Sequence, residues 1–259
     1  MTAALRVDAI GDGPPLVLLH GWAMHSGFWG PVASRLARHH RVHAVDLPGH
    51  GESPALPSFT LDDVVEALDT TFESVGAPLT LVGWSLGGLV AMRWALVRPE
   101  RVRRLVLVST SPRFVAGDDW PHAMEAETLD RFGDELRVAW RLTVQRFLAL
   151  QLHGAESSRA LLAEMRQRLS SRNAPSTATL VEALTVLRQC DFRHEAARIG
   201  QPALVVSGDR DTLAFPAAGR FLAERLPDAR FALIPGAAHV PFLSHADAFN
   251  AAIDEFIDG

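Results

Sequence analysis

Lysine and tyrosine are absent from this sequence, and cysteine occurs once, at Cys190. Arginine is therefore the only strong cation, and no phenolic hydroxyl is available as an acid or as an oxyanion donor. A lone cysteine rules out an internal disulfide framework. Cys190 also lacks the neighbours of a thiolate metal site, so it is read as a packing residue. An excess of positive charge is missing too: the formal net charge is −5, which speaks against nucleic acid as a partner. No apolar run approaches the roughly 18 residues needed to span a membrane. The segment Met1 to Asp8 lacks the basic stretch and apolar core of a secretory signal, so a cytoplasmic location is expected.

Linkers rich in Pro, Gly or Ser, low-complexity runs and internal repeats are likewise missing. One catalytic domain is expected across the 259 residues, and any second unit has to be an insertion. The histidines, the pair His39-His40 included, show no His-x-x-x-His or Cys/His spacing, and there is no Gly-rich dinucleotide fingerprint or P-loop. The activity is expected to need neither a metal nor a cofactor.

What is present is a rhythm of short β-type runs: Leu16 to Leu19, Val42 to Val45, Leu79 to Val82, Leu105 to Val108, Leu204 to Val206 and Arg230 to Ile234. Their near-continuous Val and Leu content suits strands buried on both faces. Helical patterns fall at about 29 to 38, 61 to 75, 87 to 97, 216 to 225 and 246 to 257, and the alternation predicts an α/β fold with a mostly parallel sheet covered on both sides. From Pro112 to about Ile199 the strand rhythm stops. Helical text takes over at Ala123 to Phe132, Glu135 to Gln151, Ser157 to Leu169 and Thr177 to Leu187. The reading is a core of residues 1–111 and 200–259 with a helical cap inserted at 112–199, over the edge of the sheet where ligands bind in open α/β folds.

Gly83-Trp84-Ser85-Leu86-Gly87 follows the run Leu79 to Val82 and opens the helical stretch Gly88 to Leu96. This is the strand-turn-helix setting in which a serine is held at a strained angle with its hydroxyl exposed, built to attack a carbonyl. Such a hydroxyl needs a base, and the base needs a carboxylate to fix its tautomer. His239 lies in the Gly/Ala-rich loop Pro235 to Phe242, and Asp211 in the loop Ser207 to Leu213. Asp209, two residues earlier, is the alternative acid, with the other of the two capping a turn or pairing with Arg210. The chain order serine, acid, histidine is that of the α/β-hydrolases. Two N–H groups must meet the charge that builds on the substrate oxygen. Leu86 supplies one, and Trp22, in the turn His20-Gly21-Trp22 after the first run, the second. His20 itself is read as structural, its ring bonding a neighbouring loop.

Through Leu18-Leu19-His20-Gly21-Trp22, the elbow at 83 to 87, the turn Asp46-Leu47-Pro48-Gly49-His50-Gly51-Glu52-Ser53 and the Asp211/His239 pair, the chain resembles the α/β-hydrolase superfamily over most of its length. Gly83 to Ala91, Pro99-Glu100-Arg101-Val102, Asp119-Trp120-Pro121 and Arg146 to Gln151 look more narrowly like the pimeloyl-[acyl-carrier protein] methyl ester esterases of biotin synthesis. That resemblance implies a Ser85, Asp211, His239 triad and an oxyanion hole of the Trp22 and Leu86 amides. It further implies substrate contacts at Trp22, Ser85, Leu86, Phe147, Leu148, Ala149, Leu150, Gln151 and His239. The implied partner is an acyl-carrier protein, met by a monomer.

From Arg137 to Arg172 the cap holds seven arginines (137, 141, 146, 159, 166, 168 and 172) against Glu156 and Glu164, a local balance of +5. An acidic carrier fits such a surface, with Arg141, Arg146 and Arg159 as docking candidates; a merely solvated arginine face is the alternative. Leu142 beside Arg141 departs from the family pattern. Other readings of the same triad are a broad carboxylesterase or thioesterase for short to medium acyl esters, a carbon–carbon bond hydrolase, and, from a different class, a non-catalytic hydrolase-fold ligand-binding protein.

Overall fold

The computed structural model describes residues 4–76, 78–155 and 158–257. Met1 to Ala3, Glu156 and Ser157, which entered the readings of the N-terminus, the cap charge and a helix start, lie outside that set. Seven strands are described: β1 (Val7–Ile10), β2 (Pro15–Leu19), β3 (Arg41–Val45), β4 (Leu79–Trp84), β5 (Val102–Val108), β6 (Ala203–Gly208) and β7 (Ala229–Ile234). They form one sheet in the order β1-β3-β2-β4-β5-β6-β7. β1 runs antiparallel to β3, and every other pairing is parallel. The inner strands β4 and β6 are buried at every residue, as their unbroken apolar runs require.

The described α-helices are α1 (Gly30–Leu36), α2 (Leu61–Thr71), α3 (Leu86–Val97), α4 (Ala126–Leu150), α5 (Ser158–Leu169), α6 (Thr177–Gln189), α7 (Pro216–Arg225), α8 (Pro241–Ser244) and α9 (Ala246–Ile257). α2 starts where it does because Thr60 accepts from the Asp63 N–H at 3.1 Å, with Asp62 and Asp63 on the positive end of the helix. α9 buries Phe249, Ile253, Phe256 and Ile257, one stripe at helical spacing. α3 has almost no polar face and lies buried beside β4. At about 1.5–3 kcal/mol for each fully buried large apolar side chain, the sheet–helix layers carry most of the stability.

Several boundaries differ from expectation. β1 is added: it is short and half exposed with Asp8 inside it, and only its antiparallel pairing with β3, from Val7 opposite Val45 to Ile10 opposite Val42, defines it. α2 stops at Thr71 instead of 75, where the hydroxyls of Thr70 and Thr71 turn back onto the Glu66 and Ala67 carbonyls. The helices expected at 123–132 and 135–151 are one segment that runs through Gly133 and breaks at Ala139 (φ −145°, ψ 53°). Gly133 lies beside Leu184 with room for a side chain, and the Thr143 hydroxyl donates to the Ala139 carbonyl at the break.

Parallel strands put the loops after β2, β3, β4, β5, β6 and β7 on one edge of the sheet. The helices α4 to α6, between β5 and β6, sit over that edge: the Trp22 indole donates to the Leu180 carbonyl at 2.9 Å and the His239 N–H to the Gln151 carbonyl at 3.1 Å.

Candidate active site

β4 ends at Trp84 and α3 begins at Leu86, leaving Ser85 alone at the turn with φ 54° and ψ −114°. A non-glycine residue holds such angles only where its surroundings over-determine them. Here the crowding is visible at Gly87, where a Cβ would come within 2.3 Å of the Leu19 carbonyl oxygen. Leu86 opens the helix, so its N–H has no acceptor one turn back and is available to a ligand.

Asp211 and His239 meet in the loops after β6 and β7. Nδ1 of His239 lies 2.8 Å from Oδ2 and 3.1 Å from Oδ1 of Asp211, and both side chains are buried. The carboxylate is fixed in turn by the N–H groups of Leu213 at 2.9 Å and Ala214 at 3.0 Å. A carboxylate on Nδ1 places that ring proton and leaves Nε2 as the acceptor. His239 is tied to the elbow as well, because the indole of Trp84, next to Ser85, donates to the His239 carbonyl at 2.9 Å. Asp209 serves elsewhere. Exposed, it accepts the Gly236 N–H at 2.7 Å and closes the turn before His239.

After β2, His20 is fully buried between two loops. Its Nε2 accepts the Leu47 N–H at 2.9 Å, so the ring proton sits on Nδ1 and is donated to the Gly21 carbonyl at 2.8 Å. The Gly21–Trp22 peptide is planar and trans, and a carbonyl drawn toward His20 turns the Trp22 N–H the other way. Burial first, and the neighbouring His50 second, push the His20 ring down to about 3, which keeps it neutral. Burial also lowers His50, to about 4. Asp46, in the turn after β3, accepts Ser26 N–H at 2.8 Å and Glu52 N–H at 2.9 Å. Although burial opposes its ionisation, the N–H groups of Glu52 and Ser26 hold its carboxyl below the usual range.

Trp22 also walls an apolar cavity of about 60 Å³ together with Leu129, Phe132, Phe147, Leu150 and Leu187. Its ring meets Phe147 edge-on at 4.9 Å and Phe132 at 5.4 Å. Of the five contacts expected at 147 to 151, only Phe147 and Leu150 line this cavity. Leu148 is buried elsewhere, Ala149 is exposed, and Gln151 is buried with its side-chain amide unbonded among the described residues. Leu213 and the α6 leucines, which the sequence does not single out, complete the wall. Nothing in their spacing sets them apart from ordinary core positions.

The arginines divide. Arg172 turns inward, with Nη1 2.5 Å from Asp46 and Nη2 on Asp8. Arg168 binds Glu164 and the Gly27 carbonyl. Both therefore seat the helical segment on the core and leave the surface charge smaller than the sequence count. Arg146 pairs with Glu135 at 3.1 Å, and Arg141 lies 4.7 Å over the Trp140 ring. Arg159 is exposed on α5. Among the described residues no cluster of His, Cys, Asp and Glu can hold a metal ion, and no helix is long and apolar enough to cross a membrane.

Residues 14–246 match the family model of the alpha/beta hydrolase fold. The chain is 45% identical over 254 residues to a pimeloyl-[acyl-carrier protein] methyl ester esterase of Chromobacterium violaceum, covering 98% of each chain. It is 42% identical to the protein of that name from Nitrosospira multiformis, again over 98% of both. Among solved structures, an esterase from Exiguobacterium antarcticum superposes with a TM-score of 0.91 at 21% identity, over 98% of this chain and 96% of that one.

Proposed function

The chain belongs to the α/β-hydrolase family, and from that premise we propose that it is a serine carboxylesterase that cleaves the methyl ester of pimeloyl-[acyl-carrier protein] methyl ester, releasing pimeloyl-[acyl-carrier protein] and methanol in biotin synthesis. The observation that carries the chemistry is the buried Asp211–His239 pair, tied through Trp84 to the strained Ser85. The substrate comes from the names of the near-full-length relatives.

Ser85 attacks the ester carbonyl as His239 Nε2 takes its proton, with Asp211 holding Nδ1 and stabilising the imidazolium. The oxyanion is met by the N–H groups of Leu86 and Trp22. The same histidine protonates the departing methanol, and water then cleaves the acyl-enzyme by the reverse sequence of proton transfers. Residues 112–199 act as a lid whose Phe147 and Leu150, with Trp22, hold the methylene chain. Arg141, Arg146 and Arg159 face an acidic carrier from outside.

The deciding experiment compares kcat/KM for the carrier-linked methyl ester with that for free monomethyl pimelate, following loss of the methyl group by intact-protein mass spectrometry. A large preference for the carried ester is expected. Equal rates on both leave a general carboxylesterase. A Ser85 that fluorophosphonates do not label leaves a ligand-binding protein.

A further inference from the structure

Ser85 and Leu86 share one peptide group, so whatever holds the Ser85 carbonyl also aims the Leu86 N–H, which points the opposite way in a planar trans peptide. Three donors reach that carbonyl: the Thr110 hydroxyl at 2.8 Å, the Gly88 N–H at 2.9 Å and, more loosely, the Leu89 N–H at 3.4 Å. The two amides belong to α3 and move with it. Thr110 belongs to the chain just past β5, which also anchors the other side of the elbow, since the Ser85 N–H donates to the Val108 carbonyl at 2.9 Å. The strained residue is thus gripped on its N–H and on its carbonyl by one neighbouring segment.

That segment is specialised for the reach. Between Val108 and Thr110 the chain turns through Ser109, a non-glycine residue at φ 44°, whose N–H is secured to the Val206 carbonyl at 2.8 Å. Thr110 is fully buried against position 88, where a Cβ would lie 2.7 Å from its own Cβ and Oγ1. The hydroxyl reaches the carbonyl only because residue 88 is glycine.

The geometry points to Thr110 as a positioning residue for acyl transfer: its hydroxyl clamps the Ser85 carbonyl from behind and keeps the Leu86 N–H trained on the developing oxyanion. The inference rests on the assignment of Ser85 as nucleophile and of Leu86 as oxyanion donor. A neutral ester carbonyl gains little from that N–H and the tetrahedral intermediate gains most, so a loosened clamp costs kcat and leaves KM.

Thr110→Val keeps the branched shape and removes the hydroxyl; Thr110→Ser keeps the hydroxyl. On a short p-nitrophenyl ester, with active sites counted by fluorophosphonate titration, Thr110→Val is expected to lower kcat per titrated site about tenfold, short of the roughly 10²–10³-fold that losing an oxyanion donor costs. KM stays within about twofold, a boronic acid that forms a tetrahedral serine adduct binds weaker by the same factor as kcat falls, and Thr110→Ser restores both. Unchanged kcat per site and unchanged boronate affinity in Thr110→Val overturn the clamp. So does a drop confined to the titratable fraction, which marks a residue needed only for folding. If the unsubstituted enzyme neither takes the label nor cleaves the ester, the nucleophile assignment is what fails, and the clamp falls with it.

Discussion

The Leu47 N–H donates to Nε2 of His20 at 2.9 Å, and that one contact decides which ring nitrogen carries the proton that restrains the Gly21 carbonyl. His20→Phe fills the same space and can do neither job. It is expected to lower kcat by about tenfold or more through the misaimed Trp22 N–H, and to lower stability by about 1–3 kcal/mol through the orphaned Leu47 N–H. Steady-state kinetics and urea unfolding check the two parts separately. Wild-type kcat in a folded variant counts against the aiming role.

Asp211 and Asp209 are two residues apart, yet only Asp211 meets His239. Asp211→Asn should cost roughly 10³–10⁴ in kcat, because the amide favours the wrong imidazole tautomer. Asp209→Asn keeps an oxygen for the Gly236 N–H and should cost no more than about twofold. Measuring kcat/KM for both variants on one ester decides the matter, and the opposite ranking reassigns the acid.

Ser85 sits at φ 54°, where glycine is at ease and serine is strained. Ser85→Gly should therefore abolish turnover and yet raise stability by about 1 kcal/mol, roughly 2–3 °C in Tm. Ser85→Ala, which keeps the strain, is the control: equally inactive, without the gain. A calorimetric scan of the three proteins shows whether the angle is stored strain.

Reversing charge at Arg141 and Arg146 together should raise KM for the carrier-linked ester several-fold, leave a p-nitrophenyl ester unaffected, and lose its effect as ionic strength rises. Arg146 already holds Glu135, so the reversal also repels that neighbour; Glu135→Gln alone supplies the baseline. If both substrates respond alike, docking at this surface is refuted.

Acid sensitivity follows from two rings. His20 and His50 are held down to about 3 and about 4, while the unfolded chain takes up their protons near 6.5. Between those limits the unfolded state binds more protons, so stability falls as the pH drops from about 6.5 toward 4, by on the order of several kcal/mol. The urea midpoint should decline steadily from pH 7 to pH 5, and less steeply in His50→Phe. A flat midpoint over that range contradicts the sign.

The elbow, the acid–base order and six of the seven strands were legible because each is written locally, as glycine spacing or an unbroken Val/Leu run. The remainder depends on partners far away in the chain. Arg172 counts as surface charge until Asp46, 126 positions earlier, is seen to receive it. Leu187 reads as an ordinary core residue until α6 is laid over Trp22. β1 exists only through its pairing with β3, and the α4 break at Ala139 carries no glycine or proline to announce it.

Trp22 belongs to two layers at once. Its backbone stands in the turn after β2, and its indole donates to the Leu180 carbonyl of α6 and meets Phe132 and Phe147 of α4 edge-on. One side chain thus joins the turn after β2 to the helices between β5 and β6, so on the proposed assignment the oxyanion donor and a wall of the apolar cavity are the same residue.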